Sequence, residues 1–189
     1  NLMNTKTKKL STVSMVLCGM FAALVAIGAF IQIPVPYMDY FTLQFFFVLL
    51  AGLILGADKG AISVGCYVLL GLVGVPIFAA GGGIGYIFRP SFGYLVGFIV
   101  SAYVTGKVCE KLKASYKNYL LACLAGFVVT YAIGIVYKFI ILNFYAHTPA
   151  TLGVIFLSCF PLDMPGDFVL CLLAAGVGLR MRKSGFYLS

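Results

Sequence analysis

Charge is what this chain has least of. Only 10% of its 189 residues are charged while 62% are hydrophobic, against about 25% charged in soluble domains. A water-exposed globular surface is therefore excluded, and lipid is the solvent that fits. Acidic residues number 5 (Asp39, Asp58, Glu110, Asp163 and Asp167), and His147 is the one histidine. So sparse a set supplies no metal triad, no nucleophile with its base and no paired carboxylates within an apolar run, which counts against an intramembrane enzyme. The cysteines, Cys18, Cys66, Cys109, Cys123, Cys159 and Cys171, show no C-x-x-C spacing, so neither a disulfide framework nor a metal site is indicated. No G-K-[ST] ending follows the glycine run at 81–85, which rules out a phosphate loop. The length suits one domain, 1–189, with no soluble part left over for an ATPase.

What is there is a topology. Apart from Arg89 and Lys138, the Lys and Arg residues fall into clusters at Lys6/Lys8/Lys9, at Lys59, at Lys107/Lys111/Lys113/Lys117 and at Arg180/Arg182/Lys183. Apolar runs lie between them, at roughly 11–32, 41–57, 60–75, 90–108, 118–143 and 166–180. Basic residues stay on the cytoplasmic side. The expectation is thus an all-α membrane protein: six transmembrane helices in one bundle, both termini cytoplasmic, and a glycine-rich outer loop between helices three and four. The net charge of +8 is accounted for by this orientation and by anionic lipid, not by nucleic acid. The run after Lys9 is longer than a signal-peptide core and lacks a clear A-x-A site, so it is read as helix one.

The outer connections carry the unusual chemistry. Pro34 and Pro36 force extended backbone on the first loop, which leads to Gln44 at the outer end of helix two. An amide there either contacts a polar ligand or faces interfacial water. Helix three is too short to cross the hydrocarbon alone, and the chain continues as Gly74 to Pro90. Glycine-rich backbone at membrane depth must be buried in protein or line a cavity. Gly82 and Gly83 let backbone approach a flat ligand, with Phe78, Tyr86 and Phe88 as walls. Arg89, the one cation in an outer loop, either grips a carboxylate or meets lipid headgroups. His147, alone in a long outer loop, suits neither catalysis nor metal binding.

On helix five, Tyr131, Gly134 and Lys138 share a face, so Lys138 either snorkels outward or points into the bundle. Asp167 heads a small-residue face with Cys171, Ala174, Ala175 and Gly178, which aims it inward, toward ligand N–H groups or Lys138. Asp163, one turn earlier, is a ligand candidate or a helix cap. Gly93, Gly97 and Ser101 form a packing stripe on helix four. On helix one, the small-xxx-small pairs Gly19/Ala23 and Ala22/Ala26 serve either packing within the bundle or docking of another subunit.

Several segments together resemble the BioY family, the membrane-embedded biotin-binding S components of energy-coupling factor (ECF) transporters. They are Ile33-Pro34-Val35-Pro36 with Thr42-Leu43-Gln44, Leu72-Val73-Gly74-Val75-Pro76-Ile77-Phe78-Ala79 with its glycines, Gly93-Tyr94-Leu95-Val96-Gly97-Phe98, and Pro165-Gly166-Asp167. The resemblance implies six helices and an outward-facing vitamin site without a cofactor. It also implies an energising module of one transmembrane subunit and two ATPases, docked on the small residues of helix one. The chain departs from the family pattern at Arg89-Pro90, where Gly-Pro is usual, and at Leu170, where a Lys is usual. Either Arg89 or Lys138 supplies the missing cation, or the ligand is another carboxylate vitamin such as lipoate. A secondary transporter fits less well, because its broken helices gather near the midplane.

Overall fold

A computed structural model describes residues 11–34, 40–159 and 163–186. The Lys6/Lys8/Lys9 cluster, Pro36, Asp39 and the Pro161-Leu162 pair lie outside the described residues. Among those described are the helices α1 (Thr12–Phe30), α2 (Gln44–Leu55), α3 (Ala57–Val73), α4 (Phe92–Lys111), α5 (Tyr116–Ile140), α6 (Leu152–Cys159) and α7 (Asp163–Lys183). Short strands β1 (Gln32–Pro34) and β2 (Tyr40–Thr42) pair antiparallel, Gln32 opposite Thr42. A 3-10 turn occupies Ile84–Phe88, and a π-helical turn, Ile141–Tyr145, extends α5. Among the described residues, four helices are long and apolar enough to cross a membrane: α1, α4, α5 with its extension, and α7.

Helix ends follow local chemistry. The Ser11 hydroxyl accepts from the Ser14 N–H at 3.2 Å to open α1, and Ser115 does the same for Asn118 at 3.3 Å to open α5. Such caps satisfy N–H groups that have no partner in the first turn. α7 begins on Asp163 and ends on Arg180, Arg182 and Lys183, charges placed to complement the helix dipole. Pro165 is tolerated because it falls in the first turn.

The apolar run at 41–57 is not one helix. Residues 40–42 are taken by the hairpin, and the Leu43 N–H bonds back to the carbonyls of Gly28 and Ile31, both at 3.1 Å. α2 keeps 12 residues, or ~18 Å, which is less than the ~30 Å hydrocarbon thickness. It need not match lipid, because all but Phe46 and Phe47 are buried and it packs against α1, α3, α4 and α7. The connection from α2 to α3 is Gly56 alone, at φ 81°. α3 starts at once, its Ala57 N–H donating to Glu110 Oε1 of α4 at 2.9 Å.

Close approach of small residues holds α4 on α5. A Cβ on Gly97 would lie 3.0 Å from the Thr130 carbonyl oxygen, and one on Gly93 or Gly134 would enter the ring of Tyr137 or Tyr94. The stripe expected on helix four is thus a packing surface within the bundle. α6 was not legible in the sequence. Between α5 and α7, Asn143 bonds the Phe139 and Ala150 carbonyls at 2.9 Å each, and Ile155 and Cys159, one turn apart, bury the inner face of α6.

Candidate functional site: an aromatic cavity with one cation

A cavity of about 840 Å³, counting the space toward its mouth, opens where the ends of α2, α4, α5 and α7 meet the hairpin and the glycine loop. Its residues come from the start of α2 (Gln44, Phe45), the start of α4 (Tyr94, Leu95, Phe98), the end of α5 (Tyr131, Lys138) and the start of α7 (Asp163, Asp167). Tyr40, Phe41 and Thr42 of the hairpin, Ala79, Ala80, Tyr86 and Ser91 complete it. Lys59, Lys107, Lys111, Lys117 and the Arg180–Lys183 cluster occupy the opposite ends of those helices and of α3. Its mixture of aromatic walls with few polar groups suits a small organic ligand.

The glycine loop builds one wall by folding on itself. Phe78 and Gly81 exchange N–H···O bonds of 2.8 and 3.1 Å, and the Gly83 N–H reaches the Gly71 carbonyl at 2.7 Å. Gly81 at φ 112° and Gly83 at φ 102° hold a conformation that a side chain would strain. These backbone groups are thereby paired within protein, as such a segment requires at membrane depth. Phe78 is buried behind this wall between Tyr67 and Tyr86, with ring centroids 5.5 and 4.6 Å away.

At the opposite wall the Tyr131 hydroxyl donates to Asp167 Oδ2 at 2.7 Å. Among the described residues no ion pair joins Asp167 to Lys138, so the partner anticipated from sequence is replaced by a tyrosine. The two side chains sit at different depths: Lys138 is two turns beyond Tyr131 on α5, ~10 Å along the axis. The face running from Asp167 through Cys171, Ala174, Ala175 and Gly178 does pack inward, with Cys171 and the later residues buried. Gly166 lets Phe41 lie against the first turn of α7, because a Cβ there would sit 2.5 Å from the ring. Tyr94 meets Tyr131 edge-on at 5.8 Å, and its hydroxyl contacts Cys159 Sγ of α6 at 3.1 Å.

Of the residues singled out in the sequence, Gln44, Tyr86, Lys138, Asp163 and Asp167 line the cavity. Phe78, Gly82 and Gly83 are not among the described lining residues; Phe78 is buried against the lining residue Tyr86. Arg89 is exposed, its guanidinium 5.3 Å from the centroid of the Tyr86 ring, and it is not among the described lining residues. Tyr40, Phe41, Tyr94 and Phe98 were missed. The i, i+4 spacing of Tyr94 and Phe98 beside the small stripe was the available signal.

The helix-one residues divide. Ala22 belongs to the buried face with Cys18, Phe21, Val25 and Ala29, whereas Gly19 and Ala23 are exposed and Ala26 is half-buried. Ala22 thus lies on the face that packs within the bundle. Nothing lies within 4 Å of a Cβ built on Gly19.

Comparison with known proteins extends this picture. The chain is 40% identical over 177 residues to a protein of Lysinibacillus sphaericus named a probable biotin transporter BioY, covering 93% of this chain and 90% of that protein. It is 39% identical over 169 residues to a biotin transporter BioY of Thermotoga maritima, covering 87% and 93%. The fold superimposes with a TM-score of 0.82, at 24% identity, on the crystal structure of an S-component for biotin from an ECF-type ABC transporter, covering 95% of this chain and 97% of that one. A model described as the BioY family matches residues 3–185, nearly the whole chain, and on that match and these relatives the chain belongs to the BioY family.

Proposed function

We propose that this chain is the biotin-binding S component of an ECF-type importer, taking up the vitamin at the extracellular face for ATP-driven import by partner subunits. The observation that carries this reading is the spacing of polar groups in the cavity. Tyr131 occupies one oxygen of Asp167 and leaves lone pairs for ligand N–H groups; Lys138 stands ~10 Å further along α5. A ureido ring at Asp167 and Gln44, aromatic side chains around the ring system, and a five-carbon acid chain ending at Lys138 match that layout. Lipoate shares the acid chain but has no N–H in its head, so the acceptor sites on Asp167 and Gln44 that face the cavity would be buried with no donor from the ligand, which is costly.

The proposed topology is six crossings within a single domain in a multi-pass plasma-membrane protein, with both termini cytoplasmic. α1, α4, α5 and α7 span. α2 and α3 cross with help from the hairpin and the glycine loop, and α6 lies in the outer connection. The basic clusters support this orientation, and their position opposite the cavity makes the cavity extracellular. The exposed Gly19/Ala23 pair of α1 is the proposed contact for the ECF transmembrane subunit, which two ATPases would drive.

The test is equilibrium binding to the purified chain in detergent or nanodiscs, without ATP or an ion gradient. Biotin should saturate one site, and lipoate should bind at least about 100-fold more weakly, the cost of two buried acceptors left unpaired. Equal affinities, or no biotin binding, would refute the assignment.

A further inference from the structure

Tyr67 lies in the middle of α3 and is fully buried, at 0% exposure. It is not among the described residues that line the cavity, yet a chain of hydrogen bonds passes through it. Gln44 Nε2 is 2.6 Å from the Tyr67 hydroxyl, and that hydroxyl is 3.0 Å from the Ile77 carbonyl of the glycine loop. At the other end, the Thr42 hydroxyl is 3.4 Å from Gln44 Oε1. Thr42 and Gln44 both line the cavity.

The direction of this chain is determined by its far end. A carbonyl can only accept, so the single proton of Tyr67 goes to Ile77. The Tyr67 oxygen can then only accept, which turns the NH₂ end of Gln44 toward it and away from the cavity. The amide oxygen is left beside Thr42, whose hydroxyl donates to it in turn. All three donors point the same way, from the cavity toward the loop. On the Thr42 side of the amide lone pairs remain, on Gln44 Oε1 and on Thr42 Oγ1, while the second N–H of Gln44 stays at the Tyr67 end. Without the Tyr67 hydroxyl, Gln44 could rotate by 180° and offer N–H groups instead.

We propose that Tyr67 is a positioning residue that fixes the orientation of the Gln44 amide and so makes this wall of the cavity select a hydrogen-bond donor on the ligand. The inference rests on the reading of the cavity as a biotin site and adds a determinant of specificity outside it. It also divides recognition of the ureido ring between two acceptors: Asp167 on one wall, and the Thr42–Gln44 pair on the other, one N–H for each.

The experiment compares biotin with two analogues in which one or the other ureido N–H is replaced by a ring oxygen. Against the wild-type chain both analogues should bind about 10- to 100-fold more weakly than biotin, because each sets an acceptor against an acceptor. In Tyr67→Phe the penalty for one analogue should fall to about threefold or less while the other, facing Asp167, keeps its penalty. Gln44→Met should reproduce that loss with Tyr67 and its bond to Ile77 intact, which covers the case of a Tyr67→Phe chain that folds poorly. Adding Gln44→Glu to Tyr67→Phe should restore discrimination, since a carboxylate only accepts whichever way it turns. Unchanged penalties for both analogues in Tyr67→Phe and Gln44→Met would overturn the proposal. A ligand-free measurement separates this outcome from failure of the biotin assignment. With the Gln44 side chain labelled with ¹⁵N, one amide proton should be protected from hydrogen exchange in the wild type and lose that protection in Tyr67→Phe. Protection that survives the substitution would overturn the proposal even if the wild type bound no biotin.

Discussion

In cells carrying the energising subunits, Ala23→Trp should reduce biotin uptake to background while the purified variant still binds biotin within about threefold of wild type. Ala23 and Gly19 are exposed one turn apart on α1, and the space outside Gly19 is open. Helices in lipid associate through close backbone approach because no hydrophobic effect drives them together, so an indole on this strip would hold a partner helix off. The cavity lies on other elements and is untouched. Ala22→Trp should behave differently. Ala22 is on the buried face of α1, and overpacking a core costs about 1–3 kcal/mol or more, so folding, binding and uptake should fall together. Parallel loss of binding and uptake in both variants would show that Gly19 and Ala23 serve the bundle and not a partner.

Lys138→Met should weaken biotin binding about 10- to 100-fold, since a hydrogen bond to a charged partner contributes about 1.5–3 kcal/mol. Amidating the biotin carboxylate should cost the wild type a similar factor and cost the Lys138→Met chain little, because the partner is already gone. Arg89→Ala should change affinity by about threefold or less, as expected of an exposed cation that rests on a tyrosine ring and is not among the described lining residues. Titration calorimetry of the four combinations reads the coupling directly. If amidation and Lys138→Met act additively while Arg89→Ala abolishes the amidation effect, the anchor is Arg89.

Much of this arrangement was legible in the chain because it depends on order along the sequence. Alternating basic clusters and apolar runs state which helix ends lie together, and Asp167 with Cys171, Ala174, Ala175 and Gly178 reads as an inward face by helical period alone. The same argument from Tyr131 and Gly134 offered an inward Lys138 but left a snorkelling one open. What was not legible depends on depth and rotation between helices. Nothing in the spacing says that Asp167 meets Tyr131 and not Lys138, or that Arg89 folds back over Tyr86. The two small-residue pairs of helix one lie on adjoining faces, and only the packing of Cys18, Phe21 and Val25 shows which face is inside. Tyr67 gave no signal, since a tyrosine in an apolar helix reads as core until its hydroxyl is seen to bridge Gln44 and Ile77.

Native mass spectrometry of the gently purified chain, taken from cells grown with biotin, tests the central claim most directly. The account predicts a single adduct of the mass of biotin, present without nucleotide or partner subunits and lost when Lys138→Met and Asp167→Asn are combined. An adduct of the mass of lipoate, or a biotin adduct that persists in the double variant, would contradict it.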